Sequence, residues 1–167
     1  LKLSSALYDK ALLKRVYYSA YIPVNNDKNL PSIITKPPLL REHRLYQADW
    51  LLRFYDFSWD EIVTDEFPNL DEDLDPKTFW ALNNLKHFPM EINTVSKEEL
   101  LRIPGIGARG VMKILSARRF KRLTFDDLKK LNISIKKAKF FITCNKDFQK
   151  QVPFYRENLK LALIKPE

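Results

Sequence analysis

Leu101-Arg-Ile-Pro-Gly-Ile-Gly-Ala-Arg-Gly-Val-Met-Lys-Ile-Leu115 carries all three glycines of a 167-residue chain, packed into the six positions Gly105 to Gly110. Glycine is required where φ is positive or where another molecule must approach bare backbone. Residues on either side are helical in pattern, so the stretch predicts two helices joined by a tight turn. Ahead of it, Val95-Ser-Lys-Glu-Glu-Leu100 has every part of a helix start. Ser96 and Glu99 form a capping box, and Val95 staples against Leu100. Behind the turn, Val111, Ile114 and Leu115 form an apolar face to pack on Leu100, Leu101 and Ile103.

The same grammar recurs twenty-eight residues later in Leu123-Thr-Phe-Asp-Asp-Leu128. Thr124 takes the place of Ser96, Asp127 that of Glu99, and Leu131 that of Ile103. Pro104 to Val111 then aligns with Asn132-Ile-Ser-Ile-Lys-Lys-Ala138 if one residue is dropped at the first glycine. The pattern is an internal repeat of a two-helix unit. Only the first copy has glycines, so the first turn is expected to touch a ligand and the second to be structural.

A glycine turn ahead of a helix leaves several amides free at the positive end of the helix dipole, a setting suited to a phosphate oxygen. Arg109 and Lys113 lie four apart, on one helix face. Arg118 and Arg119, within Arg118-Arg-Phe-Lys-Arg122, extend the positive track. The expected contact residues are Gly105, Ile106, Gly107, Ala108, Arg109, Gly110, Lys113, Arg118 and Arg119. Gly107→Val is expected to lose both the left-handed turn and the close approach.

The turn resembles the helix-hairpin-helix motif of DNA repair and DNA-uptake proteins. With Ile92-Asn-Thr94 ahead of it, the tandem is similar to the competence DNA-uptake domain. That resemblance implies DNA as partner, bound through its phosphates without reading sequence, and a monovalent cation held by hairpin carbonyls. Pro37-Pro-Leu-Leu-Arg-Glu-His-Arg-Leu-Tyr-Gln-Ala-Asp-Trp-Leu-Leu-Arg-Phe-Tyr55, with Asp75-Pro76 and Trp80-Ala-Leu82, resembles the C-terminal region of DNA modification or repair radical SAM proteins. This second resemblance implies an iron–sulfur cluster and S-adenosylmethionine in a catalytic barrel preceding the chain. The barrel would be a second partner, and its last strand would be Lys14–Val24. Cys144 is the only cysteine, too few for a four-iron cluster. No nucleophile–base pair is evident either, so no catalytic residue is assigned and no cofactor is expected in this stretch itself. The rival expectation is a protein-docking module that packs on the catalytic domain or another partner.

Charge agrees with the placement of the anion site. From Asn93 to Lys150 there are fifteen Lys/Arg and five Asp/Glu, a net +10 that leaves −2 for the rest of the chain. Tyr55 to Asp75 has nine acids and no base, and is expected to be solvated or barrel-facing and to repel DNA. The acids lack the alternation and glycine of a calcium loop. His43 and His87 have no metal-ligand spacing.

Composition, with 45% hydrophobic and 13% aromatic residues, predicts a folded protein. The lone cysteine excludes an internal disulfide and suggests a cytoplasmic setting. No apolar run is long enough for a membrane span. The Leu1-Lys-Leu start, without methionine or signal pattern, suggests a piece of a longer protein.

The fold class expected is mostly α: the tandem unit packed with N-terminal helices, plus one N-terminal strand or extended segment. Short helices are expected at Leu3–Lys10 and Trp59–Val63, and longer ones at Leu39–Phe54 and from Pro76 to Leu85. Everything after Pro89 reads as helical, and Phe140-Phe-Ile142 as a buried end of the last helix. Trp50, Trp59 and Trp80 are expected in the core. Arg41-Glu-His-Arg44 with Tyr46 and Asp49 reads as a salt-bridged helix face. The expected divisions are an extended segment at 1–37, a helical linker domain at 38–91, the tandem unit at 92–145 and a basic tail at 146–167.

Overall fold

A computed structural model of the chain describes residues 1–25, 28–32, 34, 36–147 and 153–164. It is mostly α-helical among those residues, with one small parallel sheet. The chain divides into two units: Leu1–Arg53 with Phe57–Pro76, and Phe54–Asp56 with the residues from Lys77 on. Residues 1–37 thus share a unit with 38–53, and 77–91 belong with the repeated hairpins.

The first unit contains α1 (Lys2–Ala11), α2 (Leu39–Phe54) and α3 (Trp59–Ile62). Ser58 and Glu61 close α3 with the capping box their spacing allows. The strand expected at Lys14–Val24 is not formed: the segment has no regular secondary structure and, among the described residues, pairs with no strand. Side chains take the place of a partner strand. The amides of Val16, Tyr18 and Ala20 donate to the Tyr8 hydroxyl (3.0 Å), the Tyr46 hydroxyl (3.1 Å) and Glu42 Oε2 (2.8 Å). Tyr46 returns a bond to the Tyr18 carbonyl at 2.9 Å. The acceptors come from two helices, Tyr8 on α1 and Glu42 and Tyr46 four apart on α2.

Asp49, fully buried, anchors the arrangement by accepting from the Tyr8 hydroxyl, the Tyr18 hydroxyl and Arg53 Nε. Burial, and then the bond to Asp49, push the Tyr8 hydroxyl up to about 12. Arg44 donates to the carbonyls of Asp71 and Glu72, at 3.0 and 2.6 Å. The polar face expected to be salt-bridged on itself therefore mostly grips other segments. The expectation that Trp50 and Trp59 lie in the core is also corrected. α2 buries Ala48, Asp49 and Leu51, leaving Trp50 52% and Phe54 48% exposed on another side of the helix. Trp59 is half-buried, so of the three tryptophans only Trp80 belongs to the core.

The second unit follows α4 (Pro76–Asn83) with a 3-10 turn at Leu85–His87, then β1 (Met90–Glu91), α5 (Lys97–Arg102) and α6 (Ala108–Ala117). Beyond these lie α7 (Phe125–Lys130), a 3-10 turn at Ala138–Phe140, β2 (Ile142–Thr143) and α8 (Arg156–Ile164). Two expectations are corrected here. The residues after Pro89 are not uniformly helical, because Met90 and Glu91 pair in parallel with Ile142 and Thr143. The repeat is also incomplete, since the second helix of its second copy is reduced to the single 3-10 turn at Ala138–Phe140. Phe140, Phe141 and Ile142 are buried as expected, but as turn and strand.

Both capping boxes form. The Glu99 and Asp127 amides donate to Ser96 Oγ (3.1 Å) and Thr124 Oγ1 (3.3 Å), and the carboxylates accept in return from the cap amides. Leu100, Ile103, Val111, Ile114 and Leu128 have no exposure and form the core of the paired hairpins with Ile92, Phe141 and Ile142. The tail expected beyond residue 145 contains α8, which buries Leu159 while Arg156 donates to Asn83 Oδ1. With Leu161 and Ile164 exposed, its apolar face is too thin to read from the pattern. Among the described residues no helix is long and apolar enough to cross a membrane.

Candidate nucleic-acid interface

The turn between α5 and α6 is built by two glycines with different tasks. Gly105 has φ +82°, the left-handed region, and Ile106 N–H turns back to the Ile103 carbonyl at 3.2 Å. Gly107, at φ −94° and ψ 172°, is the N-cap of α6. The expectation that Gly107 occupies the left-handed turn is therefore corrected: that conformation belongs to Gly105. The first helical bond of α6 runs from Val111 N–H to the Gly107 carbonyl. Among the described residues, the amides of Gly107, Arg109 and Gly110 donate to no protein acceptor. They stand at the start of a ten-residue helix, where the dipole favours an anion.

The second copy, at Leu131–Ile133, aligns with the first one residue earlier than expected. Asn132 has φ +55° and is followed by buried Ile133, as Gly105 is followed by buried Ile106. The residue missing from the second copy is thus the counterpart of Pro104, and asparagine holds the left-handed position. Asparagine tolerates that region better than other residues with a Cβ, apart from aspartate.

The expected contact residues divide by what they touch. Ala108, Arg109 and Arg119 are exposed, and Gly105 is exposed at the crest of the turn. Ile106 is 1% exposed, and its amide is turned to the Ile103 carbonyl, so it faces the core rather than a ligand. Gly110 faces the second copy: a Cβ there would stand 3.4 Å from Ile106 Cγ2 and 3.9 Å from Ile133, ordinary contact distances that leave room for alanine. Lys113 Nζ donates to the Leu131 carbonyl at 2.7 Å, tying α6 to the end of α7. Arg118 Nη1 donates to the carbonyls of Ile92 (3.0 Å) and Val95 (2.7 Å), holding the segment that enters α5. Gly105, Ala108 and Arg109 are the exposed residues of the turn itself, whereas Lys113 and Arg118 carry structural bonds.

Four further residues shape the site. The Tyr55 hydroxyl accepts from the Ala108 amide at 3.4 Å and lies 3.3 Å from where a Gly107 Cβ would be. Lys77 Nζ donates to the Ile106 carbonyl at 2.6 Å and sits 4.7 Å from the Tyr55 ring centre. Asn93 pairs with Leu123 as a strand would, Oδ1 accepting from its amide (2.7 Å) and Nδ2 donating to its carbonyl (3.1 Å). Glu91 accepts from Asn93, from the Thr143 hydroxyl and from the amides of Asn145 and Lys146. Those last two residues have positive φ and turn the chain between Cys144 and Asp147. Burial opposes the Glu91 charge, but the Lys146 amide and Asn93 side chain lead the bonds that outweigh it and hold the carboxyl below its usual range. Of these residues, Asn93 belongs to the Ile92–Thr94 motif and Tyr55 to the end of the Pro37–Tyr55 stretch. Tyr55, Lys77 and Glu91 come from segments with no local signal for this turn.

The cofactors implied by resemblance meet two observations. The Ile106 carbonyl, between the two turn glycines, already accepts an ammonium from the chain itself, which does not fit a metal ion at that oxygen. Cys144 is 2% exposed, and burial, followed by the charges of Glu91 and Asp147, pushes its thiol up to about 12. It does not fit as an iron–sulfur ligand, and among the described residues no group of three His, Cys, Asp or Glu could hold a metal ion. Cys144 is expected to resist a thiol-specific disulfide reagent at pH 8 in the native chain and to react fully in denaturant; rapid native labelling would contradict its burial. The thiol's contribution to stability is present below its unfolded pKa of about 8.5 and is lost as pH rises toward 12.

Comparison of the chain with protein-family models, with curated proteins and with solved structures returns no match.

Proposed function

We propose that the Gly105–Gly110 turn binds the phosphate backbone of DNA without reading its sequence. The observation that carries this reading is the group of amides from Gly107, Arg109 and Gly110, unpaired among the described residues, at the start of α6, with the Arg109 side chain exposed beside them. A phosphate oxygen would accept from those amides while the guanidinium neutralises the rest of its charge. The net +10 of the Asn93–Lys150 segment would draw the polyanion to this unit, and Arg119, just beyond the end of α6, would serve a further phosphate. The helix-hairpin-helix and radical SAM resemblances support a wider role, as the DNA-holding part of a DNA modification or repair enzyme in the cytoplasm whose cluster lies outside this chain.

A gel-shift titration at several salt concentrations tests the reading. Affinity should fall steeply with salt, and Arg109→Ala should lower the log–log slope by about one unit while weakening duplexes of unrelated sequence alike. No DNA affinity at low salt would overturn it. Exposed Met112 (59%) and Phe120 (87%), on and just beyond α6, favour a second reading as a protein-docking surface. Salt-insensitive association with a protein partner, without DNA binding, would select that alternative.

A further inference from the structure

Lys77 sits in an unexpected place for a cation. It is the second residue of α4, where the helix dipole disfavours positive charge, and it is only 8% exposed. Helix propensity and solvation of α4 therefore do not account for it. What it meets does. Its ammonium reaches the carbonyl of Ile106, 2.6 Å away, and rests over the face of Tyr55. Both partners act on the same turn. The Ile106 carbonyl belongs to the peptide that leads into Gly107, and the Tyr55 hydroxyl accepts from the amide of Ala108. A buried ammonium is costly unless oxygen atoms or π faces receive it, and here both do.

We infer that the Lys77 ammonium is the resident cation of the Gly105–Gly110 turn, holding the Ile106 carbonyl so that the amides following it face outward, and that the turn needs no potassium or sodium ion. The inference concerns the turn itself and stands whether or not the turn binds DNA. It departs from the helix-hairpin-helix resemblance, which implies a monovalent metal ion at hairpin carbonyls. Lysine supplies the same single positive charge but is covalently tethered, so occupancy does not depend on the salt present.

Thermal unfolding of the chain in potassium chloride and in choline chloride, at equal ionic strength, tests this. The native sequence should melt at the same temperature in both. Lys77→Met keeps the stem and removes the charge. It should melt several degrees lower, with the amide resonances of Ile106 to Gly110 shifted, and Lys77→Arg should recover part of the loss. A higher melting temperature of the native sequence in potassium than in choline would overturn the inference, as would unchanged melting and unchanged turn amides in Lys77→Met. Should Lys77→Met fail to fold, thallium-205 NMR of the native chain decides. No saturable thallium site is expected, and one that shifts the turn amides would refute the proposal. Duplex affinity should likewise be equal in the two salts. Absence of DNA binding in either would sink the proposed function and leave the melting comparison intact.

Discussion

Asn93→Ala should destabilise the second unit by about 1–3 kcal/mol, because it leaves the Leu123 amide without its acceptor and the Leu123 carbonyl with only the Asn145 Nδ2 donor. Leu123 is 1% exposed, so water offers little replacement. The same substitution removes the Nδ2 donor to Glu91, loosening the carboxylate that gathers the Asn145–Lys146 turn. Urea unfolding should show a lower midpoint with an unchanged m-value. A midpoint within error of the native one would mean that the Asn93–Leu123 pairing is not formed in solution. The carboxyl itself gives a pH signature. Its folded pKa lies below the usual value, so its contribution is complete above an unfolded pKa of about 4.3 and is lost as pH falls through the folded one. Glu91→Gln should start from lower stability at pH 7 and show a shallower loss in acid.

Gly105→Val should cost stability and function together. A β-branched residue at φ +82° is strained by about 1–2 kcal/mol for the left-handed backbone alone. Its Cβ would also stand 3.3 Å from the Ala138 amide nitrogen and from Lys137 Cβ, so the second turn must give way. A total of about 2–4 kcal/mol is expected, comparable to overpacking in a core. On the proposed reading, duplex affinity should fall tenfold or more, since the amides after Ile106 are re-aimed. Gly105→Asn separates the two causes, because asparagine accepts the left-handed region, as Asn132 does, yet still carries a Cβ. Gly107→Ala is the contrast. Its backbone is open to any residue, only the Tyr55 hydroxyl must shift, and the stability loss should stay below about 1 kcal/mol. Equal losses for Gly105→Val and Gly107→Ala in urea unfolding would mean that the left-handed conformation is misassigned.

Much of the helical framework is legible from short-range chemistry. Ser96 with Glu99, Thr124 with Asp127 and Ser58 with Glu61 are pairs three residues apart, and their hydrogen bonds close within one turn. The apolar face of α6 is equally local, with Val111 and Ile114 one turn apart and both buried. Local pattern misleads where a polar group is answered from far along the chain. The Lys14–Val24 stretch has strand composition, but its amides found Tyr8, Glu42 and Tyr46 in place of a neighbouring strand. Trp50, expected in the core, is exposed because α2 buries Ala48, Asp49 and Leu51, and Asp49 found two tyrosines and Arg53 to satisfy it.

For the candidate site, the sequence by itself determined that all the glycines lie in one turn ahead of a basic helix, that a related turn follows, and that positive charge gathers around both. These are matters of residue type and spacing, governed by local backbone sterics and formal charge. The tertiary structure alone decided which glycine is left-handed, that Asn132 takes the equivalent post, and that Lys113 and Arg118 are turned to carbonyls. It also brought Tyr55 and Lys77 to the turn from segments more than twenty-five residues away. The physical reason is the same throughout. Hydrogen bonds and buried charges are satisfied by whichever group the packed core carries within about 3 Å, and sequence distance places no limit on that search.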